Sequence, residues 1–185
     1  MSNNINKLLE ISSRLLAYDG EEIGYQKLTD ELVELSGARF GIFSLYSDDG
    51  KTFTNIAISG ASEEIYDKLG FSLLNKEWDV SKSRLRKSHY KVPVRYVDLN
   101  HLSENRIPAE VAKRMADDYN LGNVCVVEIA PFEKTIADFT LFFKKNKSIK
   151  NPADLSTFAN IVGLALNRQQ AEKERKKKEE KYTQF

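Results

Sequence analysis

The chain has 185 residues, of which 41% are hydrophobic, including 10 Phe and 8 Tyr, enough for one domain with a core of its own. Lys and Arg number 28 against 27 Asp and Glu, a net charge of +1, so no overall field draws the chain to nucleic acid or an acidic surface. A single Cys excludes an internal disulfide and a multi-thiolate zinc site and fits a reducing cytoplasm. The opening MSNNINKLLE lacks the basic and apolar blocks of a signal peptide, and with no run of about 18 apolar residues the expectation is a soluble chain without direct membrane contact.

Ile5, Leu8, Leu9, Ser12, Leu15 and Leu16 recur at three-and-four spacing and predict a first helix, ended by Asp19-Gly20. A second helix is expected over 21–35, with Ile23, Leu28, Leu32, Val33 and Leu35 inward, acidic residues in its first turn and Gly37 as its stop. Two β-rich runs then flank Asp48-Asp49-Gly50, a turn that can supply positive φ, and predict a hairpin with strands over 39–46 and 52–59. SEEIYDKLG predicts a short helix with Ser62 as N-cap and Gly70 as stop.

Further along, a strand is expected near 71–75, followed by a polar loop or short helix through SKSRLRKSHY. KVPVRYVDL reads as a strand that Pro93 places at its start or at a sheet edge. Ile107, Val111, Met115 and Tyr119 recur every four residues after Pro108 and predict a helix that Gly122 stops. NVCVVEIAP and TIADFTLFFKK are two antiparallel strands joined around Pro131–Lys134. In the second, Phe139, Leu141 and Phe143 form one apolar face, and Asp138, Thr140 and Phe142 a mixed one. From Asn151-Pro152 a last helix buries Leu155, Phe158, Ile161, Val162 and Ala165, and its apolar stripe fades after Leu166.

This order of elements implies an α+β sandwich. With LVELSGARFGIFSLYSDDGKTFTNIAISG near the start, DFTLFFKK late and FANIVGLALNRQ in the last helix, the chain resembles a GAF domain of prokaryotic sensor proteins over roughly residues 21–170. The resemblance implies a GAF-like (profilin-like) fold: a six-stranded antiparallel sheet, helices mainly on one face, and a small-molecule pocket between the other face and the irregular middle segment. It also implies a parallel homodimer through the terminal helices and a signal passed to an output module of the same parent chain, such as a histidine kinase or a PAS domain. Residues 1–20 are then a dimerisation helix, with contacts expected from Ile5, Leu8, Leu15 and the early last helix. Residues 171–185 are a charged helical linker or a frayed tail, in which Glu172 stands four residues before Lys176 and Glu174 before Lys178. No a/d apolar residues continue between Ala171 and Lys181, so no coiled coil is expected there.

Strand alternation yields two faces without saying which one lines a pocket. Phe43, Leu45, Leu73, Trp78, Tyr96, His101, Cys125 and Val127 are therefore the candidate ligand-binding residues, on the pocket or on the face opposite it. Cys125, in phase with Val127 and Ile129, also reads as a small buried hydrophobe. His89 and His101 fall in the middle segment and also read as surface or capping residues; haem, were it bound, would use His101 as axial ligand. Neither His adjoins Cys125, unlike the Cys-His pair of bilin-binding relatives, and Asn75-Lys76 lacks the later Asp-Glu of cyclic-nucleotide-binding ones. A lone Cys has no partner to resolve a sulfenic acid, as the GAF-fold reductases of free methionine sulfoxide require. No phosphate loop, HExxH or CxxCH is present. The expectation is a regulatory domain without catalysis. The alternatives are a ligand-free dimerisation module, its pocket filled by Phe71, Leu73, Trp78 and Tyr96, and a haem sensor.

Overall fold

Seven consecutive residues, Ala137 to Phe143, are buried in the last strand, and a strand buried on both faces needs cover on both sides of its sheet. The computed structural model describes residues 2–17, 23–60, 70, 72–80, 94–96, 99–104, 106–132 and 134–183. Among these, six strands form one antiparallel sheet: β1 (Phe40–Tyr46), β2 (Thr52–Ser59), β3 (Glu77–Asp79), β4 (Val94–Tyr96), β5 (Leu121–Ile129) and β6 (Ala137–Lys144), in the order β3-β2-β1-β6-β5-β4. Helices α1 (Ser2–Leu16), α2 (Tyr25–Ser36) and α5 (Pro152–Thr183) cover one face; the shorter α3 (Leu99–Leu102) and α4 (Ala109–Asp118) lie on the other. This is the expected α+β sandwich.

The larger core lies on the three-helix side. Phe139 is its centre, with the Phe43 ring 4.7 Å away along the sheet and the Phe158 ring 5.7 Å away, edge-on, from α5. Leu8, Ile11 and Leu15 of α1 and Leu28, Leu32 and Leu35 of α2 complete it, each such side chain contributing about 1.5–3 kcal/mol by leaving water. Two 2.6 Å hydrogen bonds from Arg14 to Glu31 hold α1 on α2. Asn4 donates to Asp154 at 3.1 Å at one end of α1, and Arg168 donates to the Leu16 carbonyl at 3.0 Å at the other, so α1 and α5 run parallel.

Several local expectations shift. Helix α2 starts at Tyr25 rather than 21 and ends as expected on Gly37, whose φ of 74° lets its N–H reach the Val33 carbonyl. Of the expected strand 71–75, the described residues 72–75 form none: Leu74 and Asn75 turn, Asn75 takes φ 57°, and the strand comes at 77–79 instead. Gly122 does not stop α4. Asn120 takes the left-handed conformation (φ 53°), and Gly122 lies within β5, where a Cβ would come within 2.9 Å of the Lys145 Cα. The expected helix 62–70, the segment 81–90, Pro93 and His89 lie outside the described residues, apart from Gly70.

Helix α5 continues unbroken for 32 residues, about 48 Å at 1.5 Å per residue. Gln169 is its last buried residue. Beyond it, Arg175 pairs with Glu172 and Glu179 in place of the expected Glu172–Lys176 and Glu174–Lys178 pairs. Leu8 and Leu15 are consumed by the core, whereas Ile5, Leu9 and Leu16 stay exposed on α1 and Leu164 on α5. The apolar surface available to a partner is thus a different line of α1 from the one expected.

Candidate functional site

A cavity of about 80 Å³ opens between the sheet and the α3–α4 side. Its floor is Phe40, Ile42 and Ser44 of β1, Phe53 and Asn55 of β2, and Thr140 and Phe142 of β6. The Phe40 and Phe142 rings stack there with centroids 4.4 Å apart. Leu99, Leu102, Ile107 and Met115 form the helical wall, and Leu73 and Trp78 close the side towards β3. Asp79, Glu104 and Arg106 are exposed and sit at the mouth, where Arg106 donates 2.7 Å to the Asp79 carbonyl. No floor residue lining the cavity is cationic, so an anion there would find no partner for its lost hydration.

Three polar side chains interrupt the apolar floor: Ser44 (1% exposed), Asn55 (5%) and Thr140 (5%). The Ser44 hydroxyl donates to Asn55 Oδ1 at 3.0 Å, and Asn55 Nδ2 donates to the Leu73 carbonyl at 2.9 Å. Around the same residue, the Asn75 N–H donates to the Asn55 carbonyl at 2.8 Å, and the Asn55 N–H to the Lys76 carbonyl. Asn55 thereby pins the 73–76 turn over the sheet and sets Leu73 and Trp78 at the cavity edge. A bulge puts it there: Phe43 pairs with Ala57 but Ser44 with Asn55, so Ile56 is the extra residue. Ala57 then packs with the helices while Asn55 faces the cavity.

Of the eight candidate residues, Leu73 and Trp78 line this cavity. Phe43, Leu45, Cys125 and Val127 do not: they belong to the three-helix core, because β1 presents its odd-numbered residues to that side and β5 does likewise beyond its own irregularity at 121–124. His101 is exposed on α3 and is not among the lining residues, although its neighbours Leu99 and Leu102 are. Tyr96 pairs with Val124 on β4, and its side chain lies outside the described residues. Sequence reasoning missed Phe40, Ile42, Ser44, Phe53, Asn55, Ile107, Met115, Thr140 and Phe142. A signal existed for two of them, since Ser44 and Thr140 are small polar residues inside mostly apolar strands, whereas Asn55 has Thr52, Thr54 and Ser59 beside it in β2.

No family model matches the chain, and no curated protein matches it. Solved structures do. The chromophore-binding domain of an unusual bacteriophytochrome from R. palustris superposes with a TM-score of 0.61 at 10% identity, covering 95% of this chain and 62% of that one. A domain of a putative two-component sensor histidine kinase from Sinorhizobium meliloti 1021 gives 0.55 at 14% identity, covering 82% and 94%. The chain has a GAF-like fold. A Stigmatella aurantiaca phytochrome chromophore-binding domain (TM-score 0.56, 9% identity, 89% and 58% covered) shares it, and the chain spans about 60% of the length of these phytochrome domains. At such identities the likeness is one of fold.

The described residues fit neither a covalently held bilin nor a haem on His101. Cys125, the chain's one thiol, sits on the far side of the sheet from the cavity, so a covalent bilin link there has no sulfur to use. His101 does not line the cavity, and about 80 Å³ is well below the roughly 300–1,000 Å³ of drug-sized ligand pockets. No described group of three or more His, Cys, Asp or Glu side chains could hold a metal ion, and no described helix is long and apolar enough to cross a membrane.

Proposed function

We propose that the chain is a regulatory sensor domain in which a small molecule in the cavity biases the packing of the terminal helices, and so the state of an output module such as a histidine kinase. One observation carries this reading. Ile42 and Ser44 line the cavity, and between them on β1 Phe43 points to the opposite face. There its ring stacks on Tyr25 at 5.3 Å, and the Tyr25 hydroxyl donates to Gln169 Oε1 at 3.2 Å, at the last buried position before α5 leaves the body. A strand that moves to seat a ligand therefore moves the residue that fixes the exit of α5. A ligand with different affinity for the two packings shifts their populations by that difference.

The same reading includes a parallel homodimer. Ile5, Leu9 and Leu16 are exposed along one line of α1, since 3.6 residues per turn bring positions 5, 9 and 16 within about 40° of one another. A second copy would cover them, with α1 and α5 already parallel within each subunit. The small volume of the cavity favours one competing reading, a ligand-free dimerisation relay.

The test is a thermal-shift screen of small metabolites against the wild-type chain and Ser44→Phe, in which the added ring fills the cavity, followed by hydrogen exchange on any hit. A sensor gains Tm with at least one compound only when the cavity is open, and exchange around Gln169 then changes. A screen without such a compound, or a bound compound that leaves α5 exchange untouched, contradicts the proposal.

A further inference from the structure

The cavity's chemistry narrows what it accepts, on the reading that it is a ligand site. Its walls are apolar and aromatic, and its charged lining residues are the exposed ones at the mouth. Ser44 spends its proton on Asn55, so its oxygen is left as an acceptor. Thr140 lies diagonally across the β1–β6 pair from Ser44, because Ile42 pairs with Thr140 and Ser44 with Asp138. Thr140 lines the cavity and is 5% exposed as a residue, and its hydroxyl makes no hydrogen bond among the described residues. A hydroxyl that opens on the cavity without a partner in its own protein is free to bond a ligand, and a ligand that displaces water from it without replacing the bond loses affinity.

We infer that the cavity binds an uncharged, one-ring aromatic molecule bearing a single hydroxyl, of roughly six or seven non-hydrogen atoms. The ring packs on the stacked Phe40–Phe142 pair and against Trp78 and the adaptable side chain of Met115. Its hydroxyl donates to Ser44 Oγ and accepts from Thr140. A carboxylate in the same position loses its hydration and meets the acceptor oxygen of Ser44 with no cation on the floor. An aliphatic or methylated analogue fills the space but leaves Thr140 unsatisfied.

The experiment is isothermal titration calorimetry of the full chain with phenol, toluene (the same shape with methyl for hydroxyl) and benzoate. It is repeated on Thr140→Val, which keeps the side-chain shape and removes the oxygen. The expected result is saturable phenol binding, about tenfold or more tighter than toluene, and no benzoate binding. In Thr140→Val the phenol affinity falls by about the same factor and the toluene affinity does not fall. If Thr140→Val fails to fold, Ser44→Ala is the substitute, with the same loss expected for phenol alone. Equal affinities for phenol and toluene, tighter binding of benzoate, or no saturable phenol binding overturns the assignment. A saturating charged compound that alters α5 exchange overturns the ligand class and leaves the sensory role standing. Phenol binding with the expected discrimination but unaltered α5 exchange does the reverse.

Discussion

Replacing Asn55 by Ala removes the side-chain bond that ties the 73–76 turn to the sheet, donated to the Leu73 carbonyl at 2.9 Å, and the bond accepted from Ser44 at 3.0 Å that orients the Asn55 amide. Each such bond contributes about 0.5–1.5 kcal/mol net, so their joint loss costs about 1–3 kcal/mol. The adjoining cavity lets water reach the exposed partners, which keeps the cost from rising to the full penalty for two dry, unsatisfied groups. In a chain of this length each kcal/mol lowers Tm by about 2–4 °C, so a fall of about 4–8 °C is expected at the midpoint of that range. Urea denaturation gives the free energy, and hydrogen exchange gives the location. The backbone bonds from Asn75 N–H to the Asn55 carbonyl and from Val80 N–H to the Lys51 carbonyl survive the substitution but lose their anchor, so both amides exchange faster while those of β5 and β6 do not. A loss below about 0.5 kcal/mol, or unchanged exchange at Asn75, would refute the assignment of Asn55 as the pin of this turn.

Three further outcomes follow from single contacts. Gly122→Ala places a Cβ 2.9 Å from the Lys145 Cα, a backbone atom that cannot swing aside, and should cost about 1–3 kcal/mol by thermal melting. Asp49 accepts from the Lys51 N–H and the Ser47 hydroxyl, with the Lys51 ammonium 3.3 Å away; these contacts lower its pKa from 3.8 to about 2. Its support of the β1–β2 turn is therefore complete above pH 3.8 and is lost as the pH falls through 2. A carboxyl NMR titration should show the low midpoint, and Ser47→Ala should raise it. Leu9→Glu puts a charge in the exposed line of α1 that the proposed dimer would cover, so light scattering should show dimer giving way to monomer with the fold retained by circular dichroism, Leu9 being outside the core.

The order of the main elements was legible because the terminal helices and the strands β1, β2, β5 and β6 carry strong periodic or β-rich patterns. Which sheet face lined the cavity was not. Every residue from Phe40 to Ser44 and from Ala137 to Phe143 is buried, so both faces of these strands meet a core, and the mixed face of β6 that Asp138 and Thr140 mark does not read as a solvent face or as a cavity face. The bulge at Ile56 added a second obstacle: strict alternation places Asn55 and Ala57 on one face, whereas the structure puts them on opposite faces. Gly122 misled for a related reason. A glycine after a helix suggests a stop, but this one answers the close approach of Lys145, and Asn120 supplies the left-handed turn. The 71–79 segment was misread because its turn is fixed by Asn55, which is 18 residues before Leu73 and leaves no local trace in the sequence.

The most direct test of a cavity coupled to the exit of α5 is an amide NMR titration of the full chain with phenol, run in parallel on Tyr25→Phe. In the wild type, saturable shifts should appear at Ser44, Asn55 and Thr140 and extend to Tyr25 and Gln169. In Tyr25→Phe, which loses the 3.2 Å bond to Gln169, the cavity shifts should persist and those at Gln169 should vanish. Shifts that never reach Gln169 in the wild type, or that reach it equally without the Tyr25 hydroxyl, would contradict the coupling.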